Sequence, residues 1–454
     1  MCTTLGLADT DGNVYHGRTL ELDVEDVYAV TYVPVGTPFT SNAAGSEPLK
    51  YDAKYAFIAI GAPDRAPTAD DPLGPSDVKV IEGMNTAGVS FSLLAYPTKA
   101  GAEEAKATTK AMVDAVDLGS WALANFANVD EVKQGIADHG ISLTLLPFVG
   151  NLPFPFHFIA RDKTGKALVI EFLEGELTLH DNPVGVMTNG PKFEWHLTNL
   201  DNFTHLNNVD VSKNKFGNLE VSQPDSGIAT ATIPSSNTSV GRFIKALYYS
   251  NFTEKGESTE MALYNLARVM DNFDRPRGVT TDPGESGGLP GTQMVKDAVS
   301  TEYTSWTNLS DLAHGTFMVR AYQAFNYTSF DLNELSKKNE IHLALLSSLK
   351  PLGGDGTGWR EVLRRILAGA PVLRPEWQTE QCDDSLVHPC HQRLQPMPGL
   401  GAHGDASRRA RHRRTGIQPA GQQHLVDQRI EFADVGVDLA LQAVALRRRR
   451  ILDH

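Results

Sequence analysis

Met1-Cys2-Thr-Thr-Leu-Gly-Leu-Ala-Asp9-Thr-Asp-Gly-Asn13-Val14-Tyr-His-Gly-Arg18-Thr-Leu-Glu21 opens the chain and sets its reading. Thr3 to Leu7 and Val14 to Leu20 flank a turn, Asp9–Asn13, whose Asp, Gly and Asn tolerate positive φ. The spacing predicts a β-hairpin with its first strand beginning at the chain start. Cys2 follows the initiator methionine, and the small Cys side chain predicts removal of Met1, which leaves Cys2 with a free α-amine. An α-amine titrates near ~7.7–8 and a free thiol near ~8.5, so one residue then holds a nucleophile and a base. An N-terminal amine serves as the base in the threonine version of this arrangement.

Working outward, further β signals lie at 27–33, 55–60, 89–94, 156–160, 167–172 and 185–188. Between them fall helical segments at 120–125, with Ser120 read as its cap, and from Asp130 through Val132 and Ile136. Two more follow at 242–249 and 261–270, and strands return around 303–321. Blocks of strands separated by paired helices predict an α+β layered fold and not a strictly alternating one.

Composition excludes several classes. A formal charge of -14 argues against nucleic acid or an anionic membrane as partner. The chain contains no run of eighteen consecutive apolar residues, so no membrane span is expected. No basic region followed by an apolar stretch opens it, so no signal peptide is expected either. Three cysteines, Cys2, Cys382 and Cys390, do not make a disulfide framework, and a reduced Cys2 fits the cytoplasm. Cys382, His388, Cys390 and His391 match no zinc spacing, so no metal is expected there. Gly284–Gly291 lacks the Lys-Ser/Thr of a phosphate loop, and neither Gly-x-Ser-x-Gly nor His-x-x-Glu-His occurs. No cofactor is expected.

Near residue 350 the text changes. Residues 1–354 hold 18 Lys and 8 Arg, whereas 355–454 hold no Lys and 15 Arg, four of them at 447–450. This predicts a main domain over 2–350 and an Arg-rich tail over 351–454, read either as a shifted reading frame or as a disordered basic extension.

Several separate stretches then carry one resemblance. Met1-Cys-Thr-Thr with Tyr15-His-Gly-Arg18-Thr-Leu-Glu21 resembles the opening of the choloylglycine hydrolase family of N-terminal nucleophile hydrolases, which holds bile salt hydrolases and penicillin V acylases. In the same order, Glu82-Gly-Met-Asn85-Thr-Ala-Gly88 resembles "DGMNEKG", Asp117-Leu-Gly-Ser-Trp121 a helix opening, and Pro155-Phe-His157-Phe "PLHW". Asp181 to Pro191 resembles "NPVGVLTNNP", Trp195-His-Leu-Thr-Asn199-Leu follows it, and Pro234 to Phe243 resembles the segment ending in "RF". The likeness covers about residues 2–335.

The resemblance implies a four-layer αββα sandwich, a homotetramer, and cleavage of a linear amide in a small molecule, with conjugated bile salts first. Phenoxyacetyl penicillin, an N-acyl homoserine lactone, or a catalytically impaired binding protein on the same fold are the alternatives. It implies Cys2 as nucleophile, Arg18 beside the thiol, and an acid holding the α-amine at Glu21, where the family usually has Asp. Asn189 is implied at the oxyanion and Arg242 as an electrostatic support. Ala95 stands where the family has Asn, Tyr or a bulky aromatic, so its backbone N–H is the implied oxyanion donor. Tyr96, Phe154, Phe156 and Trp195 are the aromatic residues placed near the acyl group. His157, in an apolar strand, is read as a core histidine.

Overall fold

A computed structural model describes residues 1–22, 28–43, 45–63, 74–96, 112–142, 156–173, 176–281, 301–349 and 354–355. The opening hairpin is as its turn chemistry requires. Strand β1 (Cys2–Ala8) pairs antiparallel with β2 (Val14–Glu21) in the register Cys2 to Leu20 and Thr4 to Arg18. Asp9 closes the turn, accepting from the backbone N–H groups of Asp11 and Asn13.

Among the described residues two large sheets form. The first runs Val186–Met187, β1, β2, Thr304–Asp311, Thr316–Ala321, Thr328–Asp331 and Gly354–Asp355. The second runs Glu176–Asp181, Ala167–Leu173, Phe156–Asp162, Val89–Ala95, Val78–Asn85, Phe57–Pro63, Ala29–Val33 and His342–Leu345. Helices α1 (Leu118–Asn125) and α2 (Val129–His139) cover the second sheet. A short α3 (Phe193–Asn199) follows it, and α4 (Ser239–Phe252) and α5 (Thr259–Asp271) cover the first sheet, α4 on β1 and α5 on β2. The layers are therefore helix, sheet, sheet, helix.

Strand alternation assigns the faces. Cys2, Thr4, His16 and Arg18 point between the sheets, where Arg18 reaches the Ile81 and Leu93 carbonyls opposite. Gly17 points to the helices; a Cβ there would meet Met270 Sδ at 2.8 Å and Leu266 Cδ1 at 2.9 Å on α5. Helix α1 is buried on every side. It lies so close to its sheet that a Cβ on Gly119 would stand 2.8 Å from Val80 Cβ. Asn85 ties the turn to that helix. It donates to the Leu123 and Phe126 carbonyls, both at 2.8 Å, and accepts from Ala87 and Val89.

Several boundaries differ from the sequence reading. Ser120 does not cap α1 but sits inside it, donating to the Asp117 carbonyl at 2.9 Å. Asn128 caps α2 through the Glu131 N–H, so the helix begins at Val129, one residue before Asp130. Thr238 and Ser258 cap α4 and α5, which begin three and two residues earlier than apolar spacing suggested. Capping side chains, not apolar positions, fix where these helices start. Gly284–Gly291 and the four tail Cys and His residues lie outside the described residues.

Candidate active site

The site is built at the start of β1. Cys2 is 3% exposed, and its Sγ accepts from Arg18 Nη2 at 3.4 Å. Arg18 comes from the neighbouring strand, two positions off the residue paired with Cys2, so the diagonal carries guanidinium to thiol. The guanidinium is fully buried. Nη1 donates to the Ile81 carbonyl and to Glu82 Oε2 at 3.3 Å, Nη2 also donates to the Leu93 carbonyl, and the whole group lies 5.0 Å from the Trp306 ring centroid. A buried cation so enclosed holds one geometry.

Asn189 and Arg242 approach Cys2 from its backbone side. The Cys2 N–H donates to Asn189 Oδ1 at 3.0 Å, and Arg242 Nη2 donates to the same oxygen at 2.6 Å. Arg242 Nη1 donates to the Cys2 carbonyl and to Thr3 Oγ1, and Nε donates to the Asn237 carbonyl at 2.9 Å. Burial pushes the Arg242 guanidinium below its ordinary value, while Glu21 opposes this with its charge. Asn189 Nδ2 donates to the Ala95 carbonyl at 2.6 Å, so the amide bridges the two sheets. Two histidines hold the backbone here: His157 Nε2 donates to the Thr188 carbonyl at 3.0 Å and His196 Nε2 to the Asn189 carbonyl at 3.0 Å.

His157 is a satisfied core residue, with Nδ1 on Glu171 Oε1 at 2.9 Å and Tyr96 stacked on its ring at 4.7 Å. Burial alone would raise Glu171, yet hydrogen bonds from His157 and the Phe193 N–H bring it below the usual carboxylate range.

Glu21 is placed differently from expectation. Its carboxylate is on the helix side of the sheet, opposite in parity to Cys2, with Oε1 accepting from Thr304 Oγ1 at 3.2 Å. It does not contact the Cys2 nitrogen in this chain, where Met1 is present. The Met1 ammonium donates to the Glu21 carbonyl and lies 3.6 Å from Glu302 Oε1.

The aromatic set also divides. Tyr96 is buried beside His157. Phe156 packs with the α1/α2-side core because strand alternation turns it away from its neighbour His157, so it does not face Cys2. Trp195 is 40% exposed, its ring edge-on to His196 at 5.7 Å. Phe154 lies outside the described residues.

Sequence reasoning missed a buried polar layer between the sheets. Glu82 Oε1 lies 3.1 Å from His16 Nε2, and Arg161 Nε donates to His16 Nδ1 at 3.4 Å. No spacing signals pairings across 66 and 145 residues; the only cue was the run of motif letters around Glu82. Among the described residues there is no cluster of three or more His, Cys, Asp or Glu that could hold a metal. No described helix is long and apolar enough to cross a membrane.

A buried N-terminal-strand thiol on a four-layer αββα frame defines the class: an N-terminal nucleophile hydrolase fold. The model of the linear amide C–N hydrolases, choloylglycine hydrolase family, matches residues 2–341, and the chain belongs to that family. It is a hydrolase of carbon–nitrogen bonds in linear amides. Among its relatives, a bile salt hydrolase/transferase of Clostridium perfringens is 25% identical over 336 residues, covering 74% of this chain and 93% of the relative. A conjugated bile acid hydrolase of Lactobacillus acidophilus is 26% identical, covering 74% and 96%. The fold is that of the C2A mutant of the conjugated bile acid hydrolase from Clostridium perfringens, at a TM-score of 0.62 and 23% identity over 76% of this chain and 96% of that one. Penicillin V acylase from Agrobacterium tumefaciens superposes at 0.59 with 17% identity, covering 78% and 95%.

Proposed function

We propose that Cys2, freed of Met1, is the nucleophile of this hydrolase and that its substrates are conjugated bile salts. The observation that carries the reading is the Arg18 guanidinium 3.4 Å from Cys2 Sγ, a fixed positive charge of the kind that stabilises a thiolate. Sγ attacks the amide carbonyl, and the negative charge moves to its oxygen. Asn189 Nδ2 and the Ala95 N–H receive that charge. The α-amine takes the thiol proton and delivers it to the leaving nitrogen, so the C–N bond breaks and a thioester remains on Cys2. Water then cleaves the thioester, returning the proton to sulfur. Arg242 keeps Asn189 and the Cys2 carbonyl in place. Asn189 Oδ1, which accepts from the Cys2 nitrogen, holds the new α-amine in place.

Bile salts lead because the relatives named for that activity align over nearly their whole length. The protein works in the cytoplasm, where Cys2 stays reduced. It assembles as a homo-oligomer, an expectation supported by the exposed hairpin Lys213–Ser222 with Phe216 and Leu219 at its tip.

Amine release from glycocholate, penicillin V and a long-chain acyl homoserine lactone tests the substrate. Glycine release fastest by at least ten-fold is the expected result. Preferred cleavage of either other amide would replace bile salts, and silence on all three with a processed N-terminus would favour a binding protein.

A further inference from the structure

Resting on Cys2 as nucleophile, we infer that Glu82 is a positioning residue that holds Arg18 and offsets its charge, keeping the thiol less ionised than a lone buried guanidinium would make it. Four charged or titratable side chains from three strands meet in the inter-sheet layer: His16 and Arg18 from β2, Glu82 from Val78–Asn85, and Arg161 from Phe156–Asp162. All are at most 3% exposed. Glu82 Oε2 accepts from Arg18 Nη1 at 3.3 Å, on the opposite arm of the guanidinium from Cys2 Sγ. Its other oxygen is 3.1 Å from His16 Nε2.

The ring is kept neutral. Burial pushes His16 down, Glu82 pulls it up, and Arg161 and Arg18 push it down again. Arg161 donates into Nδ1, which leaves the ring proton on Nε2, facing Glu82 and Ser92. Tyr28, near Cys2, is also uncharged, because burial raises its hydroxyl far above the ordinary value. Glu82 therefore opposes two buried cations, Arg18 and Arg161, whose own value burial pushes down to about 10. In so dry a layer its charge acts on the thiol through one guanidinium width. A more acidic thiolate is a weaker nucleophile, so damping the Arg18 field suits attack near neutral pH.

The sign of the effect separates this role from a structural one. Glu82→Gln keeps an acceptor for Arg18 and removes the charge. Cys2 alkylation by iodoacetamide at pH 6.5, read on the N-terminal peptide by mass spectrometry so that Cys382 and Cys390 do not count, should become faster. Losing a nearby like charge raises the thiolate fraction about ten-fold, and the weaker nucleophilicity takes back about three-fold, leaving a net gain of about three-fold. An unchanged or slower rate in folded E82Q overturns the inference. Where E82Q does not fold, R18Q is compared with R18Q/E82Q, in which both charges are gone. The rate should rise from the first to the second, and no rise overturns the inference. Wild-type Cys2 that alkylates no faster than a free cysteine peptide, with no amine released, instead defeats the nucleophile reading itself.

Discussion

Asn189 spends its amide on both sides of the site: Oδ1 takes the Cys2 N–H and Arg242, and Nδ2 reaches Ala95. An amide nitrogen carries two N–H groups, and the second is the one assigned to the oxyanion. Asn189→Ala should lower kcat about 10²–10³-fold with the protein still folded, as loss of one preorganised donor does; turnover within a few-fold of wild type would remove Asn189 from the reaction. Arg242→Gln loses the clamp on the Cys2 carbonyl and should lower kcat about 10²-fold, since displacement by about 1 Å costs that much. Steady-state kinetics of both variants read the split between kcat and KM. Cys2, Arg18, Asn189 and Arg242 were visible in the sequence because each lies in a quotable motif. Phe156 was misplaced because a motif does not state parity, and His157 beside it takes the inward face. His16, Glu82 and Arg161 were invisible as a group because only the stacking of two sheets brings them together.

Elements were read well where local chemistry decides and poorly where packing does. The β1–β2 turn follows from Asp9, Gly12 and Asn13. The start of α1 does not follow from Ser120, because Asp114 and Asp117 shape the preceding turn. Gly119 on α1 faces Val80 and Phe91 so closely that any side chain forces the helix off its sheet. Gly119→Leu should cost about 1–3 kcal/mol, the usual penalty of overpacking, and a urea unfolding midpoint reads it. The Lys213–Ser222 hairpin was not foreseen, and its apolar tip residues Phe216 and Leu219 are 65% and 63% exposed. If copies of the chain assemble through it, Phe216→Asp with Leu219→Asp should reduce the mass in solution to one chain while leaving the circular dichroism unchanged. An unaltered mass would place assembly elsewhere.

Across the whole molecule, pH acts through groups buried in their neutral or ionised form. Burial lowers His16 and His196 below 6.5, so the folded state resists protonation that the unfolded chain accepts. Their contribution is complete above pH 6.5 and is lost as pH falls toward their folded values; Glu171, held low, adds a further loss below its ordinary 4.5. The thermal midpoint should therefore fall from pH 7.5 to 5.0, and a flat or rising profile would contradict the burial of these rings. The family match ends at residue 341 and the Lys-free stretch begins after Lys350. Chains truncated after residue 354 should keep the specific activity of the full chain.

The central claim is that Cys2 breaks the amide, and trapping its acyl-enzyme tests that most directly. Acid quenching during turnover of glycocholate, followed by peptide mass mapping, should find the choloyl group on the peptide that begins at Cys2. Cys2→Ala should show neither adduct nor glycine release. Hydrolysis persisting in Cys2→Ala, or an acyl group found on another residue, would contradict the account.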